Sequence, residues 1–231
     1  MTAILSTSSD IIYPDSDGQP LADNTKQFRW IVTIKENLEI LFADQPDVFV
    51  AGDLLWYPVE GNNTLRVAPD AMVAFGRPKG DRGSYRQWAE GNIAPQVVFE
   101  ILSLSNRKGE MQKKLEFYDK YGVQEYYIYD PDNIKLEGYC RQNNALTSID
   151  EMNNWISPRL NIRFVLNETD LEIYQPDGRK FLTMLELEQR AKIAELQAEQ
   201  EKKRAVTAEE RALAAEELLA QYRDRFGSLD T

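Results

Sequence analysis

Three charged side chains in the middle of the chain have types and spacing that could do chemistry. Asp70 follows Pro69 at the head of the apolar run AMVAF, Glu100 stands inside a second apolar run, QVVFEILSLS, and Lys114 comes next, in KKLEFYDKYG. An ion in an apolar strand costs several kcal/mol, on the order of the penalty for a desolvated charge, unless something pairs with it. Two carboxylates brought together repel, and one keeps its proton unless a cation lies between them. Aspartate and glutamate oxygens, a backbone carbonyl and water are the hard donors that suit an octahedral magnesium ion. An ion so held polarises a phosphodiester and generates hydroxide near neutral pH. A nearby ammonium would orient that water and stabilise the developing charge, and Lys114 could supply it. Two other arrangements stay open at this level: Glu100 could pair with Arg66 or Arg107, and Lys113 and Lys114 could both be surface lysines.

The elements that must position these residues follow from periodicity. In an extended QVVFEILSLS, Val98, Glu100 and Leu102 share one face and Val97, Phe99 and Ile101 the other. The segment GEMQKKLEFYDKYG puts Met111, Leu115 and Tyr118 on one helical stripe, with Lys114 beside it and Gly122 as terminator. A helix is expected over about residues 25–43, capped by Asn24 or Thr25, with Ile31, Ile34, Leu38 and Leu41 inward. Strands are expected in DVFVAGDLLWYPV with a bend at Gly52, in RVAPDAMVAF and in VQEYYIYDPD. Hairpins are expected in IKLEGYC/ALTSI and in LNIRFVLNETDLEIYQPDGRKFLT, the second turning near 167–170. GRPKGDRGSYRQWAEGN reads as a Gly-rich basic loop. Tyr126, Tyr127 and Tyr129 read as sheet packing. The resulting order is that of an α/β fold, a central mixed sheet flanked by helices.

Composition narrows the chemistry further. The chain has 231 residues, no histidine and a single cysteine, Cys140. Ser-His-Asp and Cys-His catalysis are excluded, as is an ordinary tetrahedral zinc site, so any metal must take oxygen ligands. One cysteine excludes a disulfide framework and makes a reducing cytoplasm the simplest setting. No apolar run approaches the ~18 residues of a membrane span, and the first residues lack the pattern of a signal peptide. The net charge is −11. Most of the acidic excess lies in the first 60 residues, and two basic clusters could still meet a polyanion. One is Arg77, Lys79, Arg82 and Arg86. The other is Arg107, Lys108, Lys113, Lys114 and Lys120. From about residue 185 the chain becomes rich in Ala, Glu, Lys, Leu and Arg, without Gly or Pro until Gly227. That is a long helix with an Ala-rich, Leu-poor stripe, a coiled coil or a solvated helical tail.

The segments APDAMVAFG, APQVVFEILSLSN, EMQKKLEFYDKYGVQEYYIYDPD and ISPRLNIRF together resemble the Uma-type restriction endonuclease family of the PD-(D/E)XK nuclease superfamily, over about residues 10–185. The resemblance implies a restriction-endonuclease-like core over 1–185 and a helical tail over 186–231. It implies a magnesium-dependent (or manganese-dependent) endonuclease acting on DNA. Asp70 and Glu100 would hold the metal with the Ile101 carbonyl, Lys114 would position the attacking water, and Arg77, Lys79, Arg82 and Arg86 would contact phosphates. The superfamily pattern places lysine two residues after the glutamate, where this chain has Leu102; in the Uma-like branch the lysine moves to the next helix, which matches Lys114. Members often add an acid from the first helix. Asp23, Glu36, Glu39 and, from the preceding strand, Asp53 are available, and none is assigned. Dimers or higher homo-oligomers are common in the superfamily. The alternatives are a non-cutting nucleic-acid-binding or regulatory protein on the same fold, and an assembly protein acting through its tail.

Overall fold

The computed structural model describes residues 11–103 and 108–227. Arg107 lies outside the described residues. The chain divides into two compact units, one ending at Thr183 and one starting at Met184. In chain order the first unit contains α1 (Thr25–Leu41), β1 (Val48–Ala51), β2 (Trp56–Tyr57), β3 (Ala71–Phe75), β4 (Tyr85–Arg86), β5 (Val97–Ile101), α2 (Lys108–Lys120), β6 (Glu125–Asp130), β7 (Lys135–Gln142), β8 (Ala145–Ser148), β9 (Arg163–Leu166) and β10 (Leu171–Tyr174). The second unit is the helix α3 (Met184–Phe226). No helix among the described residues is long and apolar enough to cross a membrane.

Six strands form a mixed sheet in the order β1-β3-β5-β6-β7-β8. All neighbours are antiparallel except β5 and β6, which are parallel. A parallel pair cannot be joined by a tight turn and needs a crossover. That crossover is α2, so the β5 strand that carries Glu100 is followed at once by a helix laid across the sheet.

The two faces of the sheet have separate cores, and β5 feeds both. Val97, Phe99 and Ile101 are buried with Val48, Val50, Ala71 and Val73 beneath α1, which contributes Trp30, Ile31, Ile34 and Leu38. Val98 is buried on the opposite face with Met72 and Tyr126 beneath Tyr118 of α2. Alternation along a strand therefore sends Glu100 toward α2, on the Val98 face. The start of α1 is set by Asn24, whose side-chain oxygen accepts the backbone N–H groups of Lys26 and Gln27 at 3.0 and 2.9 Å. Gly122, at φ +93°, ends the α2 segment in the left-handed region that glycine tolerates best. At the end of the unit, the buried Asn37 amide holds the backbone of Leu182 from both sides, donating to its carbonyl at 2.7 Å and accepting its N–H at 3.0 Å.

The basic Gly-rich segment is more ordered than its composition suggests. Within it β4 pairs in parallel with β2, and a 3-10 turn follows at Gln87–Glu90. Tyr85 is fully buried and its hydroxyl donates to the Ile93 carbonyl at 2.7 Å. Two-residue strands are too short to show any alternation, so no periodicity announces them.

Candidate active site

The antiparallel register of β3 and β5 pairs Ala71 with Phe99. Carried one residue outward, it sets Asp70 opposite Glu100. Directly opposed residues of an antiparallel pair share a face, with Cβ atoms roughly 4.5–5.5 Å apart. The two carboxylates thus meet at the end of β3 and β5, on the face that α2 covers.

Glu100 is 2% exposed, and α2 satisfies it. Lys114 Nζ lies 2.7 Å from Glu100 Oε2, and the Tyr118 hydroxyl donates to Oε1 at 2.5 Å. Lys114 and Tyr118 are four residues apart, so they stack on one face of the helix and each takes one carboxylate oxygen. Lys113, one residue earlier, is exposed, which separates the two lysines. Arg66 lines the same cavity but donates to the Asn63 carbonyl at 3.0 Å, and the ion pair to Glu100 comes from Lys114.

Asp70 is tied by its Oδ2, which accepts the Ile101 backbone N–H at 2.6 Å. Its other oxygen has no hydrogen-bond partner among the described residues. Burial, with the charge of Glu100 behind it, holds the Asp70 carboxyl well above its usual range, against the opposing pull of Lys114 and the Ile101 N–H. Burial works against the Lys114 ammonium, but the charges of Glu100 and Asp70 outweigh it and raise its pKa above the usual lysine value. Burial and then Glu100 push the Tyr118 hydroxyl well up, so it stays a neutral donor.

Asp70, Glu100, Ile101 and Lys114 line a cavity of about 320 Å³ together with Asp23, Asp53 and Gln27, and Tyr118 lies buried behind Glu100. Gln27, from the first turn of α1, donates its amide to the Ile101 carbonyl at 2.8 Å and accepts the Asp23 N–H at 2.8 Å. Ser103 donates its hydroxyl to the Asp23 carboxylate. Asp53 has φ +49° and its N–H donates to the Pro69 carbonyl at 3.0 Å, one residue before Asp70. A non-glycine residue in the left-handed region beside a cavity is a strained conformation that the surroundings must enforce. Burial and then Asp17 raise the Asp53 carboxyl. Glu36 and Glu39 do not join this set; both pair with Lys35, at 3.1 and 3.2 Å.

Of the four basic residues expected to meet phosphates, two are committed elsewhere. Arg77 and Arg82 both bind Glu90, at 2.8 and 2.7 Å, and the Arg82 guanidinium also lies 3.8 Å over the Phe49 ring. Arg86 is exposed and Lys79 half-exposed, and neither forms an ion pair among the described residues.

Among the described residues no three His, Cys, Asp or Glu side chains converge as a ready metal cage. The available donors are the Asp70 and Glu100 carboxylates and the Ile101 carbonyl, which has a lone pair beyond the one that Gln27 uses. The set is all hard oxygen, and the second Asp70 carboxylate oxygen has no partner among the described residues. The like-charge pressure on Asp70 is what a divalent cation would relieve, so the residues fit magnesium or manganese.

The sequence offers Asp23 as an available acid but ties neither Gln27 nor Tyr118 to Glu100. Tyr118 had a signal in its i, i+4 spacing from Lys114, whereas Gln27 reaches Ile101 across 74 residues of chain and had none.

No curated protein matches the chain. One similar solved structure is described as a putative nuclease belonging to DUF820 from Anabaena variabilis ATCC 29413. It is 18% identical, with a TM-score of 0.44, covering 58% of this chain and 72% of that one. The family model described as "Uma2: Putative restriction endonuclease" matches residues 10–178. That match spans most of the chain and includes Asp70, Glu100 and Lys114: the chain belongs to the Uma2 family.

Proposed function

We propose that this protein is a metal-dependent endonuclease that hydrolyses phosphodiester bonds of DNA, with Asp70, Glu100 and Lys114 at its centre. The observation that carries the reading is the grouping of two opposed carboxylates with one lysine from the following helix. Asp70, Glu100 and the Ile101 carbonyl would hold magnesium or manganese, which when bound polarises the phosphodiester and makes water a nucleophile near neutral pH. Lys114 keeps its proton at neutral pH, so it acts by charge and hydrogen bonding rather than as a base. Its ammonium orients the attacking water and stabilises the negative charge that builds on the phosphate oxygens. Water oxygen bonds to phosphorus as it gives a proton to solvent, the ester P–O bond breaks, and the leaving oxygen takes a proton from solvent to depart as a hydroxyl. Tyr118 and Gln27 fix Glu100 and the Ile101 carbonyl so that the donors do not have to reorganise. Arg86 and Lys79 have the freedom to contact phosphates, while Arg77 and Arg82 would contribute only if Glu90 were displaced. The single cysteine suits action in the cytoplasm.

The test is cleavage of plasmid and single-stranded DNA by purified protein with magnesium or manganese against chelator. Metal-dependent nicking that Glu100→Gln and Lys114→Met each lower by at least 100-fold, roughly the worth of one electrostatic group, is the expected result. Wild type that cuts neither substrate with either metal would refute the proposal and leave a non-cutting binding protein.

A further inference from the structure

The second unit carries a pattern that the catalytic reading does not use. From Glu188 to Arg225 every side chain of α3 is exposed. A helix of 43 residues, exposed from Glu188 onward, finds no packing partner within its own unit, and packing supplies most helical stability in proteins. Starting at Met184 and Leu187, spacings of four and three alternate without a break to Leu219 and Tyr222. Every position in this series is Met, Leu, Ala or Tyr except Glu201. That is the a/d seam of a left-handed coiled coil, held through about six heptads.

The positions flanking the seam say what fills it. With Met184 at a, Arg190, Arg204 and Arg211 fall at g. The e positions five residues later are Glu195, Glu209 and Glu216. In a parallel coil each g residue faces the e residue five positions on in the other helix. Two copies of α3 side by side in register therefore make three Arg–Glu pairings, each twice by symmetry, and no like-charge g–e pairing. A fully overlapped antiparallel pair would instead set Arg204 against Arg211 and Glu195 against Glu216. Among the described residues none of these six forms an ion pair, while Glu188 pairs with Lys192 and Glu199 with Lys203 along α3.

We infer that α3 is a dimerisation element whose partner is α3 of a second copy of this chain, parallel and in register. Alanines at a and d let the two helices approach closely but bury little apolar area, and Glu201 puts a carboxylate at one d layer. The association is accordingly weak and reversible, and adjustable at a single residue. Parallel pairing brings both first units to the same end of the coil. The inference concerns the tail alone and stands whether or not the first unit cuts DNA.

Sedimentation of the full chain, together with cysteine cross-linking, tests it. In a Cys140→Ser background, Ala208→Cys sits at d and meets its own counterpart only in a parallel, in-register pair, whereas Glu210→Cys sits on the outer face. The expected results are a concentration-dependent monomer–dimer equilibrium and a disulfide-linked dimer on mild oxidation for Ala208→Cys but not for Glu210→Cys. Glu201→Leu should tighten the dimer at least tenfold, since it replaces a buried pair of like charges with an apolar layer. A monomer at every concentration, equal cross-linking at 208 and 210, or no tightening by Glu201→Leu would overturn the inference.

Discussion

Lys114→Met tests the electrostatics of the site without relying on any assay of cleavage. The substitution keeps the length and apolar stem of the side chain and removes its charge, leaving Glu100, 2% exposed, with Tyr118 alone. Removing one partner of a buried ion pair costs about 3–5 kcal/mol. The Lys114 side chain is 20% exposed, so water reaches part of the pair and the expected loss is smaller, about 2 kcal/mol. For a unit of this size that is a fall in Tm of roughly 4–8 °C. Glu100→Gln removes the same pair but also the like charge that presses on Asp70, so it should cost less. The double variant should then be more stable than Lys114→Met alone, because the uncompensated carboxylate has gone. Urea denaturation of all four proteins in chelator closes the cycle, and a coupling of about 1 kcal/mol or more is expected for residues in direct contact. Additive effects, or a Lys114→Met protein as stable as wild type, would refute the claim that this lysine neutralises the buried carboxylates.

Three further outcomes can be measured. Tyr118→Phe removes one hydrogen bond to a buried carboxylate and should lower stability by about 1–3 kcal/mol in urea denaturation. Asn37→Ala breaks both bonds to Leu182 and leaves that backbone unpaired, with an expected loss of about 1–3 kcal/mol by the same measurement. Glu90 has its carboxyl lowered; burial opposes this, but the hydrogen bonds and charges of Arg82 and Arg77 prevail. A depressed carboxyl contributes stability that is present above its unfolded pKa and is lost as pH falls through its folded one. The stability gap between wild type and Glu90→Gln should therefore be full near pH 7 and shrink on acidification below about pH 4.5. A gap constant from pH 7 to pH 3 would show that the Glu90 network is not linked to folding.

The site was legible where one element could be read by itself. A lone glutamate in an apolar strand and a Pro-Asp at a strand head marked Glu100 and Asp70, because burying a carboxylate is costly enough to need a reason. Strand alternation placed Glu100 on the Val98 face, and the helical stripe put Lys114 beside it, but only the structure, with Lys113 exposed, separates the two lysines. What stayed hidden depends on groups that meet across long stretches of chain. Gln27 reaches the Ile101 carbonyl from another helix, and Glu90, on a 3-10 turn, pairs with both Arg77 and Arg82. The buried Glu125 is a similar case. It accepts from the Ser157 and Tyr127 hydroxyls and the Arg159 N–H, anchoring the loop before β9, and nothing near it in the sequence indicates that partner set. The three tyrosines of β6 are fully or almost fully buried, in keeping with their reading as sheet packing.

Metal binding tests the central claim most directly, because it asks whether Asp70 and Glu100 act as one site. Manganese titrated into wild type, Asp70→Ala and Glu100→Ala and followed by calorimetry should show one divalent-ion site in wild type and its loss in both variants. Unchanged manganese affinity in the two variants would contradict the account.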